Sequence, residues 1–437
     1  RSIGDTEVLF HDVQTNGIAY IKLIFDARNI PADLFAYIGI LKNVLGFVDT
    51  DKYDFGELFN EMNIHTGGIG GTVNTYVNAK KLKEYRLTFE MKTKAMYEEL
   101  PAAFEIMTEI MTASKLDDED RVLEILEELK SRKQANMMAA GDTVAALRAM
   151  AYFSETAQIS ELTGGLPCYR MLEEYTADYE GKKEELMRKL AVLAKCIFRP
   201  ENLMVDITAG EEGFDRIKDL VPKMKAKLFT EPVKKEPFRL VPEKRNEGFS
   251  TSAQVQYVCR AGDFTKGTDY KYTGALKVLK VILGYDYFWL NVRVKGGAYG
   301  CACNFTRMGD SYFVSYRDPN LSKTIDVFER ASSYLREFIA DERTMTKYII
   351  GAISDMDVPL TPAGKGARSA AAYLTNTDFA EVQKERDEVL SCSQEDIRAL
   401  AGYLDAIIGQ DIVCVVGNSQ AIEENKDIFM NVENLFH

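Results

Sequence analysis

The chain has 437 residues, 46% of them apolar, which is typical of a globular protein long enough to build two or more domains. Its formal net charge of -13 argues against nucleic acid as a partner, because such binding depends on clustered Lys and Arg. No stretch approaches the roughly 20 uninterrupted apolar residues of a membrane span, so a membrane partner is not expected either.

The first part of the chain predicts strands and helices in alternation. The run GIAYIKLIFDA at 17–27 alternates and is rich in Ile, Tyr and Phe, which indicates a strand. Apolar periodicity predicts a helix from 31 to 45, with a proline in its first turn. A second helix is expected near 54–63, followed by strands at 67–77 and 85–91.

The next hundred residues are predicted to be mostly helical. This segment runs from Met96 to Arg199, and its clearest helix begins at Asp117 or Asp118, where an acidic cap suits the helix dipole. Apolar residues then recur on one face of that helix, at Val122, Ile125, Leu126 and Leu129. The run LMVDIT at 203–208 indicates a buried strand that closes the first domain.

A proline-rich segment divides the chain. The run FTEPVKKEPFRLVPEKRNEG at 229–248 spaces three prolines among charges, and proline suits neither an internal helix nor a central strand. We therefore predict an extended linker between a first domain, 1–228, and a second domain, 249–437.

The second domain repeats the order of the first. The hexamers LKNVLG at 41–46 and LKVILG at 279–284 both end a helix and precede a second helix, a glycine pair and two strands. The elements predicted here are strands at 252–260, 297–305, 311–316 and 410–416, and helices at 271–284, 321–339, 344–354, 366–374 and from 393. We therefore predict an α+β fold of two related domains, each a mostly antiparallel sheet packed by helices, with an added helical segment in the first.

The chain has few of the histidines that a metal site usually needs. The only histidines are His11, His65 and His437, whereas a catalytic zinc normally takes three protein ligands, mostly His. Glu61 and His65 would share a helix face, but one such pair is weak and a helix-terminal histidine near Gly67 explains it better. We expect no metal site in this chain.

The seven cysteines are odd in number and widely spaced, without a C-x-x-C, which favours the cytoplasm or another reducing compartment over a disulfide framework. Cys301 and Cys303 would face the same side of a strand, either as small buried apolar groups or as metal ligands.

The run WLNVRVKGGAYG at 289–300 contains the most informative candidate binding residues. It reads as an amphipathic helix that ends in two glycines and turns into a strand. Arg293 offers a planar fork of five donors, and Tyr299 offers a phenol. From chemistry alone, these residues are either a surface arginine and a core tyrosine at a turn, or a binding pair.

Four stretches of the sequence carry a family resemblance. The pattern R-x-x-G-G-A-Y-G at 293–300 resembles the second-half signature of the pitrilysin/insulinase superfamily of zinc metallopeptidases. The stretches 63–69, 355–362 and 383–397 resemble parts of its presequence-protease branch. The resemblance covers essentially the whole chain and identifies it as similar to the carboxy-terminal half of such an enzyme.

This resemblance implies a mechanism shared between two halves, each of two α+β domains, that close around a chamber. The first half supplies zinc ligands and a Glu general base, and the second supplies an Arg and a Tyr that reach the substrate. On this chain the pair is Arg293, which would hold a substrate carbonyl, and Tyr299, which would donate to the oxyanion. Gly296 and Gly297 would let the peptide approach closely. Zinc would be bound by the missing half, so this chain alone is predicted to be inactive.

The predicted function is the substrate-binding, chamber-forming half of a zinc metalloendopeptidase that degrades unstructured peptides, with basic ones favoured by the acidic surface. Its partner would be a zinc-bearing amino-terminal half, on the same polypeptide or on a separate chain. The absence of an initiator Met favours the same polypeptide. The alternative is a non-catalytic scaffold or recognition subunit of the same fold, and the presence of both Arg293 and Tyr299 favours the peptidase.

Overall fold

The computed structural model describes residues 1–237 and 239–437, so that Phe238, in the predicted linker, lies outside the described residues. Its strands form two six-stranded sheets. The strands are β1 (Ser2–Ile3), β2 (Thr6–Asp12), β3 (Ile18–Asp26), β4 (Ile69–Val77), β5 (Tyr85–Met96), β6 (Leu203–Ala209), β7 (Glu247–Thr251), β8 (Tyr257–Asp263), β9 (Gly300–Phe305), β10 (Asp310–Tyr316), β11 (Ile412–Asn418) and β12 (Asn431–Asn434).

The two sheets share one topology. The first has the order β1-β2-β6-β3-β5-β4, and the second has the order β12-β7-β11-β8-β10-β9. Taken in chain order, β2 to β6 therefore occupy the same places as β7 to β11. The pairs β2–β6, β7–β11 and β7–β12 are parallel, and the other neighbours are antiparallel. The predicted repeat and the α+β class are confirmed.

Helices make up much of the remaining described chain. Those of the first half are α1 (Ala32–Phe35), α2 (Ile38–Val44), α3 (Phe55–His65), α4 (Leu100–Thr112), α5 (Glu119–Ala139), α6 (Gly141–Ala151), α7 (Glu155–Gly164), α8 (Leu166–Ala177), α9 (Tyr179–Ile197), α10 (Glu211–Ile217) and α11 (Leu220–Lys225). Those of the second half are α12 (Ala275–Ile282), α13 (Ser322–Glu329), α14 (Ala331–Arg336), α15 (Glu342–Met356), α16 (Pro362–Leu374), α17 (Phe379–Leu390), α18 (Gln394–Ala399), α19 (Ala401–Ile408) and α20 (Ser419–Glu424).

Several predicted elements have different bounds in the structure. The helix predicted from 31 to 45 is interrupted between α1 and α2, where the Tyr37 hydroxyl lies 2.7 Å from that of Tyr175. The strand predicted from Ser252 begins only at Tyr257, because residues 252–256 form the turn from β7 into β8. None of the helices in the described residues combines the length and the apolar character needed to cross a bilayer.

The chain forms two compact units, each with one sheet. The first comprises Arg1–Lys133, Leu162–Arg239 and Leu360–Thr377, and the second comprises Gln134–Glu161, Leu240–Pro359 and Asp378–His437. The first unit therefore includes α16 from the second half of the sequence, and the second unit includes α6, most of α7 and the end of α5 from the first half. β7 begins within the predicted linker, and the boundaries 1–228 and 249–437 stay a prediction.

Helix α16 lies on the first sheet through small residues. Ala370 and Leu374 are buried in a cluster with Leu9 and Ile24. A β-carbon placed on Gly366 would lie 1.6 Å from Thr208 Oγ1, so only glycine permits this approach.

Helix α6 lies on the second sheet in the same manner. A β-carbon on Gly141 would lie 2.3 Å from the Tyr257 ring. Farther along the helix, Arg148 Nε donates to Glu247 Oε2 at 2.7 Å, and the Tyr152 hydroxyl donates to the same oxygen at 2.7 Å. Glu247 is 4% exposed, so its charge is compensated inside the unit.

Candidate functional site

The helix that leads to the predicted site changes its winding. After α12, the backbone is π-helical over Leu283–Tyr287 and Trp289–Val294. Phe288 and Val292 are buried in the core of the second unit, whereas Tyr285 and Val294 are exposed. This confirms the amphipathic helix, and π-helical turns are rare and found mostly at functional sites.

Two glycines end this helix, and each is required for a different reason. A β-carbon on Gly296 would lie 2.4 Å from the carbonyl oxygen of Val292, and backbone atoms cannot move aside cheaply. Gly297 has φ +84, in the left-handed region that favours glycine. The turn thus requires both glycines on structural grounds, and their contact with substrate stays a prediction.

Arg293 is held by aromatic rings. Its guanidinium carbon lies 3.9 Å from the centre of the Trp289 ring and 5.6 Å from the centre of the Tyr299 ring. Within residues 1–237 and 239–437, its side chain has no hydrogen bond or ion pair. Its donors are therefore positioned by stacking while remaining available to a ligand.

Tyr299 is fixed through its backbone and open at its side chain. Its N–H donates to the carbonyl oxygens of Tyr316 at 3.0 Å and Arg317 at 3.3 Å. The side chain is 66% exposed, so it is not the core tyrosine that a turn alone would predict. In the part of the chain that the structure describes, its hydroxyl has no hydrogen-bond partner. Tyr299 can therefore donate to a group outside this unit.

A buried carboxyl supports the glycine turn. Asp318 is fully buried and accepts hydrogen bonds from the Asn320 N–H at 2.8 Å and the Thr324 hydroxyl at 2.6 Å. Burial raises the pKa of Asp318, and these hydrogen bonds oppose the rise. Asn320 Nδ2 in turn donates to the Gly296 carbonyl oxygen at 2.6 Å. The sequence analysis missed this support, for which the only signal was the turn-forming run Asp-Pro-Asn at 318–320.

The nearby thiols are not reactive. Cys303 is 4% exposed and Cys301 partly buried. Burial raises the pKa of both thiols to about 12, and the Arg293 guanidinium opposes part of the rise at Cys301. Their burial, and the lack of any group of three or more possible metal ligands among the described residues, favour the small apolar role over a metal-ligand role.

His11 and His65 belong to the first unit, whereas the candidate site is part of the second. His65 is the last residue of α3, where its Nδ1 is 2.5 Å from Glu99 Oε2 and its Nε2 is 3.4 Å from Glu61 Oε2. His11 Nε2 is 2.7 Å from Asp206 Oδ1 in the first sheet. Among the described residues, no group of three or more His, Cys, Asp or Glu side chains is placed to hold a metal ion.

Known proteins match both parts of the chain. A family model for the associated domain of subfamily C of the M16 peptidases matches residues 1–174, and one described as PreP C-terminal domain matches residues 246–419. Protein HypA of Clostridium perfringens is 37% identical over 435 residues, which are 100% of this chain and 44% of that protein. Presequence protease 1, chloroplastic/mitochondrial, of Arabidopsis thaliana is 27% identical over 430 residues, 96% of this chain and 39% of that protein. The chain spans less than half the length of these relatives.

The fold matches a solved structure as well. The inactive domain of a peptidase M16 from Pseudomonas fluorescens has a TM-score of 0.62 and 15% identity, with 96% of this chain and 97% of that chain covered. At this identity the similarity shows the fold alone.

Proposed function

This chain belongs to the pitrilysin family of peptidases, where it corresponds to the carboxy-terminal half of a presequence-protease-type member, and on this premise we propose that it is the substrate-binding half of a zinc metalloendopeptidase. Its substrates would be unstructured peptides that fit an enclosed chamber. The partner would be a zinc-bearing amino-terminal half, on the same polypeptide or on a separate chain.

The pairing of Arg293 with Tyr299 carries this proposal. Six residues apart in sequence, they lie 5.6 Å apart from guanidinium carbon to ring centre. The donors of both side chains point to no partner in the described chain. A scaffold has no need of two unsatisfied donors held side by side.

The chemistry expected from the pair is electrostatic. When water attacks a peptide carbonyl, negative charge develops on its oxygen, and a donor already in place lowers the barrier. Tyr299 would donate its phenolic hydrogen to that oxygen. Arg293 would bind a neighbouring substrate carbonyl and hold the peptide in register.

Zinc does not fit the residues that the structure describes. Among them, no three His, Cys, Asp or Glu side chains are placed together as a ligand set. The metal of the proposed enzyme would therefore be held by the amino-terminal half. The odd number and wide spacing of the seven cysteines fit a reducing compartment, which we propose as its location.

A scaffold or recognition subunit is the second candidate. It would need no zinc ligands, and the described residues hold no group of three or more His, Cys, Asp or Glu side chains placed to bind a metal ion. The two candidates differ in whether Tyr299 affects turnover.

The deciding experiment is peptide hydrolysis with zinc, by this chain alone and after addition of a zinc-bearing half. We expect no activity alone and activity on complementation. Tyr299→Phe should then lower kcat by about 10²-fold. Tyr285→Phe is the matched control, because Tyr285 is 72% exposed and lies on the helix that precedes the site. Unchanged turnover in Tyr299→Phe would contradict the donor role, and inactivity with a bound competent half would favour the scaffold.

A further inference from the structure

Arg317 has an unusual backbone for an arginine. In the described chain, five residues other than glycine have a positive φ, and four of them are Asn or Asp, whose short side chains tolerate this region: Asn16, Asn246, Asn376 and Asp411. The fifth is Arg317, with φ +46. A bulky residue in this conformation is strained, and such strain clusters at binding and catalytic sites.

The location of Arg317 connects it to the proposed substrate site. Its carbonyl oxygen accepts the N–H of Tyr299 at 3.3 Å. Its guanidinium carbon lies 5.5 Å from the centre of the Tyr316 ring. The Tyr316 ring in turn meets the Tyr299 ring edge-on, with 5.9 Å between centres. Arg293 thus contacts the Tyr299 ring directly, whereas Arg317 is connected to it through the Tyr316 ring.

The two arginines end one continuous array. It runs Arg293, Tyr299, Tyr316, Arg317, and its steps measure 5.6, 5.9 and 5.5 Å. An extended peptide advances about 3.3 Å per residue, so the two guanidinium groups lie within about five substrate residues of each other. One peptide can therefore reach both.

Arg317 also has its charge available. The side chain is exposed, and no carboxylate pairs with it in the part of the chain that is described. Burial raises the pKa of Tyr257, and a hydrogen bond from Arg317 opposes part of this rise. The neighbouring Asp318 is committed to Asn320 and Thr324. Hydrogen bonds to the Tyr257 and Tyr316 phenols thus orient the guanidinium, and the remaining donors of its five-donor fork are free for an anion.

We propose that Arg317 determines specificity by binding a carboxylate of the peptide substrate, within a few residues of the bond held at Arg293 and Tyr299. This inference rests on the proposed function. The carboxylate would belong to an acidic side chain or to the peptide's own C-terminus. This preference for a carboxylate comes from the positive charge of Arg317 itself, although the chain as a whole has a negative net charge.

The test uses the only tryptophan of the chain as a reporter, because Trp289 stacks on Arg293. Four matched peptides are titrated into the full chain: one internal position is Glu or Gln, and the C-terminus is free or amidated. Tryptophan fluorescence and calorimetry are both followed, so that binding without a change in fluorescence is still detected. We expect one carboxylate to strengthen binding about tenfold over its neutral partner, and which one does so identifies its source.

Arg317→Asn is the decisive variant. Asn tolerates a positive φ, which offsets the lost hydrogen bond to Tyr257, so this variant should fold with a stability close to that of the original chain while losing the tenfold discrimination. Arg343→Gln, an exposed arginine of the same unit, is the control and should keep the discrimination. Equal binding of all four peptides, or discrimination that survives Arg317→Asn, would overturn the proposal even where Tyr299→Phe still lowers turnover. Failure of all four peptides to bind would overturn both this inference and the substrate-binding function.

Discussion

Replacing Gly296 with alanine should disable the site with a modest loss of stability. The added β-carbon would start 2.4 Å from the Val292 carbonyl oxygen and 3.0 Å from that of Asn291, both backbone atoms. The turn must therefore open, and the Gly296 carbonyl must move relative to Asn320 Nδ2, which now donates to it at 2.6 Å.

The magnitude follows from these contacts. Overpacking costs about 1–3 kcal/mol, and a weakened hydrogen bond adds about 1 kcal/mol. The effect on the reaction rate should be more marked than the loss of stability, because a shift of about 1 Å in positioned groups costs on the order of 10²-fold in rate. Gly284→Ala is the matched control: it lies on the same helix with no atom within 4 Å of an added β-carbon. It should be neutral or more stable by up to about 1 kcal/mol.

Both variants are measured in the same two assays. Urea unfolding gives the free energy of unfolding, and peptide hydrolysis with a zinc-bearing half gives kcat/KM. We expect Gly296→Ala to lose about 10²-fold in kcat/KM and Gly284→Ala to lose none. If the two variants have the same kcat/KM, the argument that this turn positions Arg293 and Tyr299 is refuted.

Two further predictions concern buried charges of the second unit. Burial raises the pKa of Asp310 to about 6; the Ser154 hydroxyl opposes this rise and nearby Asp263 adds to it. The pKa of an Asp in the unfolded chain is about 3.9. The free energy of unfolding should therefore fall by up to about 3 kcal/mol as pH rises from about 4 through about 6. Asp310→Asn should flatten this slope in urea unfolding at a series of pH values. Arg148→Met leaves the carboxylates of Glu247 and Glu161 buried without their shared cation and should cost about 3–5 kcal/mol. The double variant with Glu247→Leu removes one of these two charges and should regain part of the loss, and equal stability of the single and double variants would contradict the pairing with Glu247.

The sequence predicts elements well where one face is buried and the pattern is regular. Strand β3 alternates and was predicted within a residue at each end, and the buried face of α5 was predicted residue by residue. Boundaries set by distant partners were not predictable. Tyr37, at the break between α1 and α2, contacts Tyr175, and Glu247, at the start of β7, contacts Arg148. Neither contact leaves a trace in the local pattern.

Only part of the site could be predicted, because only local patterns are visible in the sequence. Arg293 and Tyr299 lie in one short motif, so the pattern that singles them out also keeps them close. Asp318 and Asn320 act from the far side of a strand pair, through hydrogen bonds that no spacing reveals. Arg317 is marked by its backbone angle, which composition and periodicity do not encode.

The exchange of α6 and α16 between the compact units has a consequence for synthesis on the ribosome. Strands β7 to β10 are translated after the first sheet is complete in sequence and before α16 emerges to lie on it. Until then, Leu9 and Ile24 lack the helix that covers them. A gene fragment ending at the proline-rich segment would encode a sheet permanently without that helix, so neither half of the sequence encodes a complete compact unit.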